Sequence, residues 1–218
     1  MVEKTTGLIL RTRPLTETSL IVHWLTPQFG RLATVAKGAC RPKSPFRGKL
    51  DLFYHADFSF SRSRRSELHA LREVSLLDTH AALRRELAYL RQASYCVRLL
   101  EQTTETETPL QPMFELFRGF LDWLPGHPPR PENVFAFELK LLSELGLQPD
   151  LTQSRLNRDT VGIIQILSGV DWPAIPEANV SAARATEIDQ FLHGFLIYHL
   201  ERLASGRAAA VGQLAANR

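Results

Sequence analysis

The stretch SLIVHWLTPQFGRLATVAK, residues 19–37, decides the fold class. From Ser19 to Thr26 it carries Leu20, Ile21, Val22, Trp24 and Leu25, an apolar run rich in β-branched and aromatic side chains. Pro27-Gln28-Phe29-Gly30 then has turn chemistry, because proline presets φ and glycine permits positive φ. Arg31–Lys37 resumes as a strand, so the segment predicts a β-hairpin. Upstream, Thr6–Arg13 contains Leu8, Ile9 and Leu10 and reads as a preceding strand. Downstream, Leu52–Phe60 alternates. Leu52, Tyr54, Ala56, Phe58 and Phe60 fall on one side, and Phe53, His55, Asp57 and Ser59 on the other. Ser61–Ser66 is a polar, basic turn, and Glu67–Leu76 is a fifth strand of poor alternation.

Five short strands in residues 1–78 suit a small closed barrel of the OB type, with an SH3-like barrel as the structural rival. From Asp78 the period changes. Leu83, Leu87, Leu90, Ser94, Val97 and Leu100 recur at spacings of three and four, the mark of an amphipathic helix capped by Asp78 or Thr79. Thr108-Pro109 opens an apolar helix through Leu124, and Pro131 opens another that Gly146 terminates. Asp159–Gly169 predicts a short helix. Ser181 begins a last long one that Gly206 ends, with a frayed tail from Arg207. The expectation is an α+β protein: an OB-fold domain over residues 1–78, then an all-α domain over 79–218.

Charge divides along the same line. Residues 1–78 hold 13 Lys/Arg and 7 Asp/Glu, a net of +6, whereas residues 79–218 net −3. A basic barrel joined to a mildly acidic helical part predicts a polyanion partner for the first part only. No stretch approaches the length of a membrane span, and Met1–Thr6 lacks an export pattern, so the expected compartment is the cytoplasm. Cys40 and Cys96 are both expected as free thiols, Cys96 in a helical core.

The strongest chemical signal is KGACRPKSPFRGK, residues 37–49. Lys37, Arg41, Lys43, Arg47 and Lys49 lie on one Pro/Gly-rich loop without an acid, and their mutual repulsion is relieved by phosphates. Phe46 stands among them as a candidate for stacking on a base, or as a residue tucked under the barrel. Arg62, Arg64 and Arg65 form a second cationic turn. Trp24 alternates with Val22 and reads as core. Catalytic patterns are missing: no phosphate-binding G-x-x-x-x-G-K-[ST], no G-x-S-x-G, and no G-x-G-x-x-G after a strand. The seven histidines are dispersed and the two cysteines unclustered, so neither a metal nor another cofactor is expected. Arg84, Arg91 and Arg98, seven apart, form a candidate stripe for an acidic peptide with a hydrophobic end.

Together these residues resemble the bacterial RecO family. Leu8-Ile9-Leu10-Arg11-Thr12-Arg13-Pro14-Leu15-Thr16-Glu17-Thr18-Ser19-Leu20 is similar to the family's first two strands. Gly30-Arg31 through Val35-Ala36-Lys37-Gly38-Ala39, continuing to Gly48 and Leu50, resembles its third strand and basic loop. Phe137–Leu147 resembles the helix before the family's usual zinc region. The resemblance implies a recombination mediator that binds single- and double-stranded DNA and anneals strands without ATP. It also implies work with RecR, engagement of the acidic tail of the single-stranded-DNA-binding protein, and help in loading RecA. Many members place four cysteines after this helix, whereas Gln148–Val161 contains none. The second functional class is a protein-interaction adaptor whose barrel has no direct DNA role.

Overall fold

The structure, a computed structural model, describes residues 2–152 and 154–212. Its first five elements are strands: β1 (Val2–Pro14), β2 (Leu20–Thr26), β3 (Gly30–Ala36), β4 (His55–Ser61) and β5 (Leu68–Asp78). They close into a barrel in the order β1-β2-β3-β5-β4, with β4 pairing back onto β1. All neighbours are antiparallel except β3 and β5, which run parallel through Ala33↔Leu68 to Val35↔Ala70. Closure leaves no sheet edge to protect, and this is the OB arrangement.

Period-two alternation fills the barrel. Val22 and Trp24 of β2, Leu32 and Ala36 of β3, and Ala56, Phe58 and Phe60 of β4 converge in one core. Trp24 stacks on Phe58 with ring centroids 4.0 Å apart, and its indole N–H donates to Thr34 Oγ1 at 2.9 Å. The buried indole thus keeps its hydrogen bond, and the tryptophan is core as its alternation predicts.

The fourth strand begins later than the alternation from Leu52 implies. Phe53 has φ +66° and is fully buried, although alternation puts it on the side opposite Ala56, Phe58 and Phe60. Its N–H donates to Ile9 O at 2.8 Å, and Ile9 N–H returns a bond to Tyr54 O at 2.9 Å. A tight turn against β1 therefore replaces the expected strand start. The poor alternation of β5 also has a cause: its register against β4 shifts at His55/Ala56 and Ser59/Phe60, where bulges swap faces.

The chain divides into two compact units: residues through Ala81 together with Thr104–Arg118, and Ala82–Thr103 together with the chain from Gly119 on. The 104–118 stretch, which its sequence places with the helices, groups with the barrel. Glu107 N–H donates to Arg31 O at 2.8 Å and Leu110 N–H to Pro27 O at 3.1 Å, while Phe114 packs near His55 and Phe117 near Phe53.

The second unit is helical: α1 (Leu87–Thr103), α3 (Pro131–Glu144), α4 (Arg158–Gly169), α5 (Ala182–Leu200) and α6 (Arg207–Val211), with α2 (Gln111–Trp123) crossing the boundary between units. α3 is the centre, buried from Glu132 to Leu139. It ends as predicted at Gly146, φ +71°, with Gly146 N–H donating to Ser143 O and Leu147 N–H to Leu142 O. Ser181 caps α5 through its side chain.

Two helical expectations are corrected. α1 presents Tyr89, Gln92, Ala93, Cys96, Leu99 and Leu100 to the core, and Leu87 is 62% exposed. Buried polar tips rotate the face: Tyr89 OH donates to His127 O and Gln92 Nε2 to Arg130 O. Nor does the last helix run to Gly206 with a frayed end at Arg207. α5 stops at Leu200, and Arg207 opens α6 with its guanidinium buried on Glu138 (2.7 and 3.0 Å) and Asp189 (2.5 Å). Tyr95 OH donates to the same Glu138 carboxylate.

Candidate nucleic-acid interface

β3 delivers the chain straight into the basic loop, since Lys37 follows Ala36. The loop is a series of tight turns. Arg41 N–H donates to Gly38 O, Ser44 to Arg41, Arg47 to Ser44 and Lys49 to Phe46. These bonds satisfy the backbone of a segment that is neither helix nor strand. Lys37, Arg41, Lys43 and Arg47 are exposed. Arg47 also donates to Pro42 O at 3.1 Å, which closes the loop on itself. Lys49 is half-buried and donates to Val74 O at 3.1 Å, so part of its donor capacity serves the barrel.

Phe46 does not present a stacking face. It is 7% exposed and belongs to the barrel core with Trp24 and Phe58. Burying a ring in an apolar core is worth more than leaving it in water, so this phenylalanine anchors the loop.

In the second cationic turn only Arg62 departs from an open cation. Arg62 is held by Glu3 at 2.7 Å and Glu107 at 2.5 Å, and its guanidinium lies over the Phe29 ring at 5.4 Å. Two carboxylates already neutralise it, which removes the motive for a phosphate. Arg64 and Arg65 are exposed at the tip.

A cluster that motif reading missed lies on the outer face of β1–β2–β3. Register places Arg11 beside His23 and His23 beside Ala33. The next row holds Arg13, Ile21 and Val35, and Arg31 sits opposite Leu25. Burial and then the charges of Arg11, Arg13 and Arg31 hold the His23 imidazole down at about 4. Burial is the larger cause, and the three arginines add to it. Arg31 donates to Thr104 Oγ1 at 2.9 Å and keeps its charge in place. The available signal was Arg11-x-Arg13 on a strand, two cations that alternation must put on one face.

The arginine stripe expected for an acidic tail is not a stripe. Arg84 lies in a 3-10 turn, Ala81–Arg85, ahead of α1. Arg91 is exposed on α1, and Arg98 Nε donates to Ser205 O at 2.5 Å. Seven-residue spacing aligns side chains only along a continuous helix, and here the helix begins after Arg84. Cys40 is exposed and Cys96 buried, both as free thiols. Among the described residues, no helix is long and apolar enough to cross a membrane.

Comparison with known proteins adds an independent line. The family description "Recombination protein O N terminal" matches residues 1–80, and "Recombination protein O C terminal" matches residues 84–157. The DNA repair protein RecO of Anaeromyxobacter sp. (strain K) is 33% identical over 148 residues, covering 68% of this chain and 58% of that protein. The DNA repair protein RecO of Exiguobacterium sibiricum is 29% identical over 151 residues, 69% of this chain and 60% of that protein. That of Listeria monocytogenes serotype 4b is 29% identical over 161 residues, 73% and 62%. The chain thus spans somewhat under two thirds of the length of the relatives it matches. The two matches follow one another in order, one over the barrel and one over the helices that follow it, and on them the chain belongs to the recombination protein O (RecO) family.

Proposed function

We propose that this protein is a DNA repair and recombination mediator. Its barrel binds single- and double-stranded DNA and promotes annealing of complementary strands without ATP or any other chemical step. The observation that carries this reading is the acid-free run of cations from Lys37 to Lys49, in the ordered loop that directly follows the strand carrying Arg31, on a barrel whose β1 also carries Arg11 and Arg13. Such a surface neutralises backbone phosphates and lowers the cost of bringing two strands together, while base pairing supplies fidelity. The relatives are named DNA repair proteins, in agreement with it.

On the family resemblance we assign RecR as a partner and RecA loading as the outcome. The acidic tail of the single-stranded-DNA-binding protein is assigned to the helical unit, where Arg91 is exposed. The test is annealing of two complementary labelled oligonucleotides at low salt without nucleotide. The protein should accelerate duplex formation, and added single-stranded-DNA-binding protein should not abolish the effect. No acceleration at any protein concentration would contradict the proposal.

A further inference from the structure

The turns of the basic loop enclose a cup of about 320 Å³ on the barrel. Its floor is apolar: Ala39 and Phe46 are buried, and Leu20 and Leu50 are half-buried. Its rim is cationic, with the exposed side chains of Arg41 and Arg47. The Arg47–Pro42 bond and the chain of turns from Gly38 to Lys49 fix this shape. The buried Phe46 ring pins it to the core. A loop that only neutralised phosphates would need neither the concavity nor the apolar floor.

We propose that the cup takes one unstacked base of a single strand, with the adjoining phosphates on Arg41 and Arg47. A single strand is the polyanion that offers a flat apolar group and an anion at fixed separation. The cup is of the size of small-molecule clefts. In a duplex the bases are stacked and paired, so only the rim is engaged. The loop therefore distinguishes single from double strands, which both meet the same cations. This rests on the DNA-binding reading and adds a base contact to it.

Cys40 supplies the reporter. It lines the cup and is exposed, whereas Cys96 is fully buried, so a thiol reagent marks Cys40 alone in the folded protein. The full chain is alkylated alone, with a thymidine dodecamer, and with an abasic deoxyribose-phosphate dodecamer. Each oligomer is held at saturation judged by anisotropy of an end label, and the product is read by intact mass. The base-bearing strand should slow alkylation about fivefold or more, the factor a single base contact is worth. The abasic strand should leave the rate near that of the free protein. Equal protection by both strands would mean that the cup holds backbone only, and would overturn the proposal. Saturating binding with no protection by either would place the strand elsewhere, overturning the proposal while leaving DNA binding intact. Absence of any anisotropy change would remove both.

Discussion

At the scale of single residues, the chain reuses charge for two opposed purposes. On the barrel surface Lys37, Arg41 and Lys43 stand without carboxylates in their own loop, a state that favours an external anion. Inside the helical unit Arg207 is buried against Glu138 and Asp189, a state that closes on itself. Removing one partner of a buried pair strands the other, so Arg207→Ala should cost on the order of 3–5 kcal/mol in chemical denaturation. It should also raise amide exchange across Arg207–Val211, and an unchanged midpoint would show that the pair is idle. His23 gives a pH signature. Its folded value of about 4 lies below the ordinary 6.5, so the unfolded chain takes up the proton first as pH falls. Its contribution to stability is complete above pH 6.5 and is lost as pH drops towards 4. His23→Gln should therefore lose less stability than the parent between pH 7 and pH 4.5. A His23 imidazole that titrates near 6.5 by NMR would contradict both its burial and the arginine charges around it.

At the scale of elements, the β2–β3 turn shows how much local sequence can reveal. Pro27-Gln28-Phe29-Gly30 was legible as a turn, and Gly30 has φ +60°. Its second role was not legible. A Cβ there would lie 1.8 Å from Thr108 O, because the 104–110 segment crosses the turn. Gly146 also has positive φ, yet a Cβ there meets nothing within 4 Å. Gly30→Ala should thus cost on the order of 3 kcal/mol, and Gly146→Ala about 1 kcal/mol. Equal shifts in thermal unfolding would deny the crossing contact. The same distinction explains what sequence reading missed. Gly146 and Ser181 act through neighbours a few residues away, and the inward face of Trp24 follows from alternation along its own strand, so these roles were visible in local pattern. Phe53 turns inward and Arg62 is neutralised through partners over forty residues distant, and no local pattern encodes those. Arg11 and Arg13 were readable by alternation, but His23 and Arg31 join them only through strand register.

At the scale of the whole molecule, the barrel's interior and exterior divide the work. Apolar alternation closes the barrel, and the leftover outward positions carry the charge. Binding through phosphates carries no base identity, so affinity should be uniform across sequences and steeply salt-dependent. The most direct measurement is binding of a labelled single strand across a salt series, for the parent and for the Arg41→Ala, Lys43→Ala double variant, with circular dichroism as the folding control. Each lost contact flattens the log–log slope by about 0.7, so the double variant should be shallower by about 1.4, with weaker affinity for every sequence alike. Both side chains are exposed, so its fold should be unchanged. A folded double variant that keeps both the parental affinity and the parental slope would contradict the assignment of DNA to this loop.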